Sequence, residues 1–206
     1  MKTNIVFAIT LFFISSCSTL AFWSDDSEEE NSEPAKLFKI QNQYPIEIEW
    51  RRSLDGENDL GSFVPSFYSG EMIIADPKGN LLSINPINGK TIWDINLKRD
   101  LSAGTASGFG KIIVSDTNGF VIAIDSVTKE TLWEKNIGGE VLSNGVISAS
   151  LVLLKNSVGE LVALDGTTGE QKWSFRSQLP ALTVRGTGEP IIENGTVFST
   201  FDNGRI

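Results

Sequence analysis

From Ala163 to Trp173 the chain reads A-x-D-x-x-T-G-x-x-x-W, and the same template returns at 40-residue intervals upstream. Ala123, Asp125, Thr128 and Trp133 occupy it in one earlier unit, and Ser83, Asn85, Gly89 and Trp93 in the one before. A glycine stands 14 residues before each tryptophan, at Gly79, Gly119 and Gly159, so the register holds across a whole hairpin. A repeat of this length in strand-rich sequence restricts the chain to a β-propeller or a β-solenoid, in which each unit buries its faces against its neighbours.

Within each unit, short apolar runs alternate with turn residues. The first unit predicts strands over Phe63–Phe67, Met72–Ala75, Leu81–Asn85 and Thr91–Ile95. Ile112–Ser115, Phe120–Asp125 and Thr131–Lys135 follow in the second, and Leu151–Lys155, Leu161–Asp165 and Gln171–Phe175 in the third. The turns between them carry Ser69-Gly70, Pro77-Lys78-Gly79 and Asn88-Gly89, which suit tight hairpins. Uninterrupted runs such as Ile112-Ile113-Val114 and Leu151-Val152-Leu153-Leu154 predict strands buried on both faces, as in stacked blades. The expected fold is therefore all-β, a propeller of four-stranded antiparallel blades over about 60–97, 101–137 and 141–177, with an incomplete blade over 186–206. Ile46-Glu47-Ile48-Glu49-Trp50 alternates apolar and polar residues and predicts one leading strand, 46–52, with Trp50 in phase with the repeat.

Each template position has a structural meaning. The small residue leaves room for close approach, Asp125 and Asp165 accept backbone N–H groups of the turns that follow, and Trp50, Trp93, Trp133 and Trp173 pack between blades. The functional alternatives are a stacking platform built from the tryptophans and an acid pair built from the two aspartates. Recurrence at a fixed phase favours packing, and equivalent positions in separate blades favour turn capping.

Composition removes several chemistries. The chain has no histidine, so neither histidine-dependent nucleophilic catalysis nor histidine metal ligation is available to it. Its net charge is −9 with 17 scattered basic residues, which argues against a nucleic-acid surface. Cys17 is the sole cysteine, so no disulfide forms within the chain.

Residues 1–16 have the layout of a secretory signal peptide, a lysine followed by an apolar run from Ile5 to Ile14. Ile14-Ser15-Ser16-Cys17 resembles the lipobox of bacterial lipoproteins. That resemblance implies cleavage before Cys17, acylation there with chains such as palmitate, and, with Ser18 next, sorting to the outer membrane. Residues 17–45 are acidic, with Asp25, Asp26, Glu28, Glu29, Glu30 and Glu33 close together, and read as a solvated tether. An acidic peptide that docks on a basic partner is the alternative.

After Trp173 a longer connection, Gln178-Leu179-Pro180-Ala181-Leu182-Thr183-Val184-Arg185-Gly186, precedes the next strand-like run at Gly195. Leu182, Val184 and Arg185 suit either a docking patch on a propeller rim or a local tuck under that rim, and spacing alone does not choose between them. The phase places Ile206 inside the third strand of a fourth unit. The expectation is thus of a truncated chain, since eight such units need roughly 320 residues; a four-bladed ring completed by the Trp50 strand is the alternative.

The A-x-D-x-x-T-G-x-x-x-W units resemble quinoprotein-like (PQQ-like) propeller repeats. Together with the lipobox, the acidic tether, the Trp50 strand and the Leu-Pro-x-Leu-x-Val-Arg-Gly connection, the chain resembles the BamB family of outer-membrane assembly lipoproteins. The resemblance implies an eight-bladed, non-enzymatic, lipid-anchored scaffold facing the periplasm, without a cofactor or metal. It also implies binding to the POTRA domains of BamA and other lipoproteins of the BAM complex, with Leu182, Val184 and Arg185 at the BamA contact; unfolded outer-membrane proteins are further candidate partners. The competing readings are a PQQ-dependent dehydrogenase and a periplasmic ligand-sensing propeller.

Overall fold

A computed structural model describes residues 36–39, 44, 46–57, 61–181, 186 and 188–206. The chain divides into two units, Met1–Ile46 and Glu47–Ile206. In the first, the described residues are exposed and form no regular element. All the described strands lie in the second.

Three antiparallel four-stranded sheets follow one another, each a meander in which consecutive strands pair. Blade 1 is β1 (Ser66–Tyr68), β2 (Glu71–Ala75), β3 (Asn80–Ile84) and β4 (Thr91–Asn96). Blade 2 is β5 (Ala106–Gly108), β6 (Lys111–Ser115), β7 (Phe120–Asp125) and β8 (Thr131–Asn136). Blade 3 is β9 (Val146–Ile147), β10 (Leu151–Lys155), β11 (Glu160–Asp165) and β12 (Gln171–Arg176). A two-stranded sheet, β13 (Ile191–Glu193) and β14 (Thr196–Phe198), comes last. Among the described residues there is no helix.

The apolar runs are explained by burial on two sides. Ile112, Val114, Ile122 and Ile124 pack with Ile73 and Leu81 of blade 1. Ile113, Val121 and Ala123, alternating with them along the same strands, pack with Val152, Leu154, Val162 and Leu164 of blade 3. Since successive side chains of a strand point to opposite faces, β6 and β7 must be apolar along their middles. Outer strands differ: in β8 only Trp133 is buried.

A bulge recurs at the same place in every blade, between Ser83 and Ile84, Ala123 and Ile124, and Ala163 and Leu164. It sets Ser83, Ala123 and Ala163 directly across from Trp93, Trp133 and Trp173. The template's small residue therefore stands beside the tryptophan of its own blade. Near the inner strands, the segments leading into the three blades are tied together. Gly104 N–H donates to Ser62 O and Ser62 N–H to Leu142 O, each at 2.8 Å, while Asn144 Nδ2 reaches both Val64 O and Thr105 O.

Two expectations are corrected. Residues 46–52 form no strand; Ile46 and Ile48 are exposed because no described strand runs beside them, and the segment is held through the side chains of Trp50 and Arg52. Likewise no third strand forms after β14. Residues 201–204 nevertheless make the same turn as 156–159, with Phe201 N–H donating to Arg205 O as Asn156 N–H donates to Glu160 O.

Gly169 has φ 73°, and a Cβ there would lie 2.6 Å from the Trp133 ring. Gly110 has a similar φ of 77° but open space around it. Gly169→Ala is expected to cost about 3 kcal/mol, combining left-handed strain with overpacking, and Gly110→Ala only the strain of about 1–2 kcal/mol. Equilibrium urea unfolding of the two variants checks the difference.

Candidate functional site

The meander gives the propeller two rims. One carries the turns that precede the outer strands, at 85–90, 125–130 and 165–170. The other carries the turns at 76–79, 116–119 and 156–159 and the connections between blades. The repeat glycines serve this second rim: Gly79 has φ 83°, and a Cβ there would come within 2.3 Å of Arg99 O. Only glycine lets the connection lie down on the turn.

The connection after blade 3 is the one singled out for docking. Its start is fastened by Asn203, whose Nδ2 donates to Ser177 Oγ at 2.8 Å and to Gln178 O at 2.9 Å. Beneath it the half-turned chain is held by Lys155, which donates from Nζ to Thr200 O at 3.0 Å. Burial lowers the Lys155 pKa, and the nearby Asp202 carboxylate opposes that shift. Lys155, buried at the end of a strand where the other blades have Ala75 and Ser115, gave no signal in the template because it departs from it. Leu182, Val184 and Arg185, and also Cys17, lie outside the described residues.

The tryptophans occupy the seams between blades. Trp133 rests on Gly169 of blade 3 and donates from Nε1 to Gly166 O at 3.2 Å. Trp50 does the same to blade 1, resting on Gly89 and donating to Pro86 O at 2.9 Å. Trp93 differs because Lys129 stands where the glycine would be. Lys129 adopts φ 65°, places its ammonium 4.1 Å from the Trp93 ring centroid, and donates to Ser126 O. The carbonyl that would take the indole is thus taken by the ammonium. Trp93 Nε1 turns instead to Glu71 Oε2 at 3.2 Å, which also accepts from Ser83 Oγ. Trp173 is 38% exposed and, with Leu161, Phe175, Val197, Phe201 and Ile206, lines a groove of about 650 Å³.

Asp125 and Asp165 each accept two backbone N–H groups through Oδ1, from Val127 and Thr128 and from Thr167 and Thr168, at 2.8–3.0 Å. They sit in separate blades and cap their own turns. The Asp165 pKa falls to about 2, chiefly through Lys172, whose Nζ is 3.0 Å from Oδ2, and then through the two backbone donors. Asp125 is also lowered, by its backbone donors.

A second set of caps escaped the template. Asp76, Asp116 and Asn156, also 40 residues apart, are buried and bind the backbone of the opposite turns through Oδ1. The signal was the period itself. Asp116 additionally pairs with Arg99 at 3.2 Å, and Arg99 forms a bidentate pair with Glu134 at 3.1 and 3.2 Å. The Arg99 pKa is raised, first by its hydrogen bonds to Glu134. Among the described residues, no group of three or more His, Cys, Asp or Glu side chains is placed to hold a metal ion.

The family model described as outer membrane protein assembly factor BamB matches residues 77–206. A protein of that name from Nitrosomonas eutropha is 30% identical over 109 residues, covering 48% of this chain and 26% of the relative. One from Aliivibrio fischeri is 35% identical over 84 residues, 40% of this chain and 22% of the relative. The crystal structure of BamB from Moraxella catarrhalis superposes with a TM-score of 0.62 at 21% identity, over 70% of this chain and 44% of that one, a likeness of fold. The chain spans about a quarter of the length of these curated relatives.

Because the folded pKa of Asp165 lies below its ordinary value of 3.8, the stability it contributes is present above pH 4 and is lost as pH falls toward 2. Carboxyl-carbon NMR titration should place Asp165 near 2, and Lys172→Met should raise it while the two backbone donors still hold it below the ordinary value.

Proposed function

Because the chain belongs to the family of outer membrane protein assembly factor BamB, we propose that it is a non-enzymatic scaffold of the outer-membrane β-barrel assembly complex. The family match over the blades and their connections carries this reading. In it, residues 1–16 are removed as a signal peptide and acylated Cys17 anchors the chain to the outer membrane. Several acyl chains, each contributing about 0.8 kcal/mol per buried methylene, hold it there firmly. The acidic segment 17–45 then lets the propeller, 46–206, stand off the periplasmic face.

The partners in this reading are the POTRA domains of BamA and the other BAM lipoproteins, with unfolded outer-membrane proteins as transient clients. The contact with BamA is placed on the rim connection after blade 3, through Leu182, Val184 and Arg185. The support is physical. The start of this connection is held by Asn203, and an arginine beside aliphatic residues suits an interface, since arginine is enriched among the residues that carry binding energy.

Replacing Cys17 with serine should move the chain from the outer-membrane fraction to the soluble periplasm on cell fractionation. Charge reversal at Arg185 should weaken capture of BamA POTRA domains by about 2 kcal/mol or more. A pulldown with wild type and Arg185→Glu, both shown folded by circular dichroism, measures it; equal capture by the two would move the contact elsewhere.

A further inference from the structure

The internal repeat makes the same pair of positions comparable in three blades. In blade 2 the pair is Asp116, which caps the turn between β6 and β7, and Glu134, which stands across from Ile122 on β8. Between them lies the guanidinium of Arg99. In blade 3 the counterparts are Asn156 and Ser174, across from Val162, and the residue 40 beyond Arg99 is Gly139. Both acids are gone there, and so is the cation. Blade 1 breaks the pattern. Its pair is Asp76 and Asp94, across from Leu82, so both acids are present, yet the residue 40 before Arg99 is Asp59.

At this place blade 1 has a recess of about 240 Å³, lined among others by Arg52, Asp55, Asp76, Asn80, Asp94 and Asn96. Asp76 is buried and its Oδ1 is committed to the turn; its Oδ2 accepts from Asn80 Nδ2 at 2.7 Å and from Asp55 N–H at 3.2 Å. Asp94 is exposed and pairs with no described residue. Arg52 lines the recess, and its Nη1 donates to Thr91 Oγ1 at 2.8 Å. Three carboxylates thus line the recess with one guanidinium, whose one described hydrogen bond goes to Thr91 rather than to any of them, whereas in blade 2 two carboxylates share one guanidinium.

We propose that this recess receives the arginine side chain of a partner polypeptide, held between Asp94 and Asp76 as Arg99 is held between Glu134 and Asp116. The planar fork of a guanidinium matches a carboxylate with two parallel hydrogen bonds, and the recess is open on the solvent side where Asp94 stands. The site lies on the rim that carries the connections, two blades away from the one after blade 3, and does not depend on the reading given to Arg185.

The test is a ¹⁵N-correlation NMR titration of the full chain in detergent with N-acetyl-arginine amide, beside its neutral citrulline analogue. The arginine compound should saturably shift the amides of Asp55, Asn80 and Asn96, the citrulline compound should not, and Asp94→Asn should weaken binding about fivefold. Arg99→Met, by emptying the blade 2 site, should add a second set of shifts around Asn118 and Glu134. Equal response to both compounds, an unchanged affinity in Asp94→Asn, or no response at all would overturn the proposal. Binding seen only after Arg52→Gln would overturn it too, by showing that the chain's own arginine fills the recess.

Discussion

The rest of the structure depends on an indole laid across the turn of the next blade. A four-stranded meander cannot bury both faces alone, so each blade needs a neighbour at a fixed distance and angle. Trp50 on Gly89 and Trp133 on Gly169 set that distance, and the Nε1 bonds to Pro86 O and Gly166 O set the angle. A large flat side chain with one polar edge suits this task, because it buries area in one direction and fixes orientation in the other. The glycine is required on two counts, positive φ and the absence of a Cβ under the ring.

With the seams fixed, the remaining features follow. The middle strands become apolar on both faces, the outer strands stay mostly exposed, and the recurrent bulge puts a small residue opposite the tryptophan. Blade 2 shows how far the seam tolerates change. Lys129 substitutes an ammonium–π contact and its own bond to Ser126 O for the glycine seat, and Trp93 finds a carboxylate in exchange for a carbonyl. The packing survives because the turn carbonyl and the indole N–H each still have a partner, although the residue types differ.

The strands, the turns and the seams were legible because they repeat, and repetition converts a weak local signal into a strong one. What did not repeat was not legible. The alternation in 46–50 suggested a strand, but alternation reports only that a strand could hide one face, and no described strand lies beside Ile46 and Ile48 to hide it. Lys129 stands where the other units have a turn glycine, and nothing local in the sequence shows that its ammonium crosses to Trp93 of blade 1. The buried caps Asp76, Asp116 and Asn156 obey the period too, but they stand before the template's first residue, and spacing alone does not show that their side chains are buried against the turn backbone. Leu182, Val184 and Arg185 belong to a connection whose start is held by Asn203, which is distant in sequence and invisible to spacing.

Blade stacking also shapes what the protein can do. Stability resides in the seams and leaves the rims to carry side chains that the packing does not fix, such as Asp94. The claim beneath it is that the Trp50 and Trp133 indoles each sit on the following blade's turn glycine, and ring-current shifts report this directly. In the ¹H spectrum of the full chain, the α protons of Gly89 and Gly169 should be displaced well upfield, with cross-relaxation to the Trp50 and Trp133 ring protons respectively. Ordinary glycine shifts at both positions, without those cross-peaks, would contradict the account.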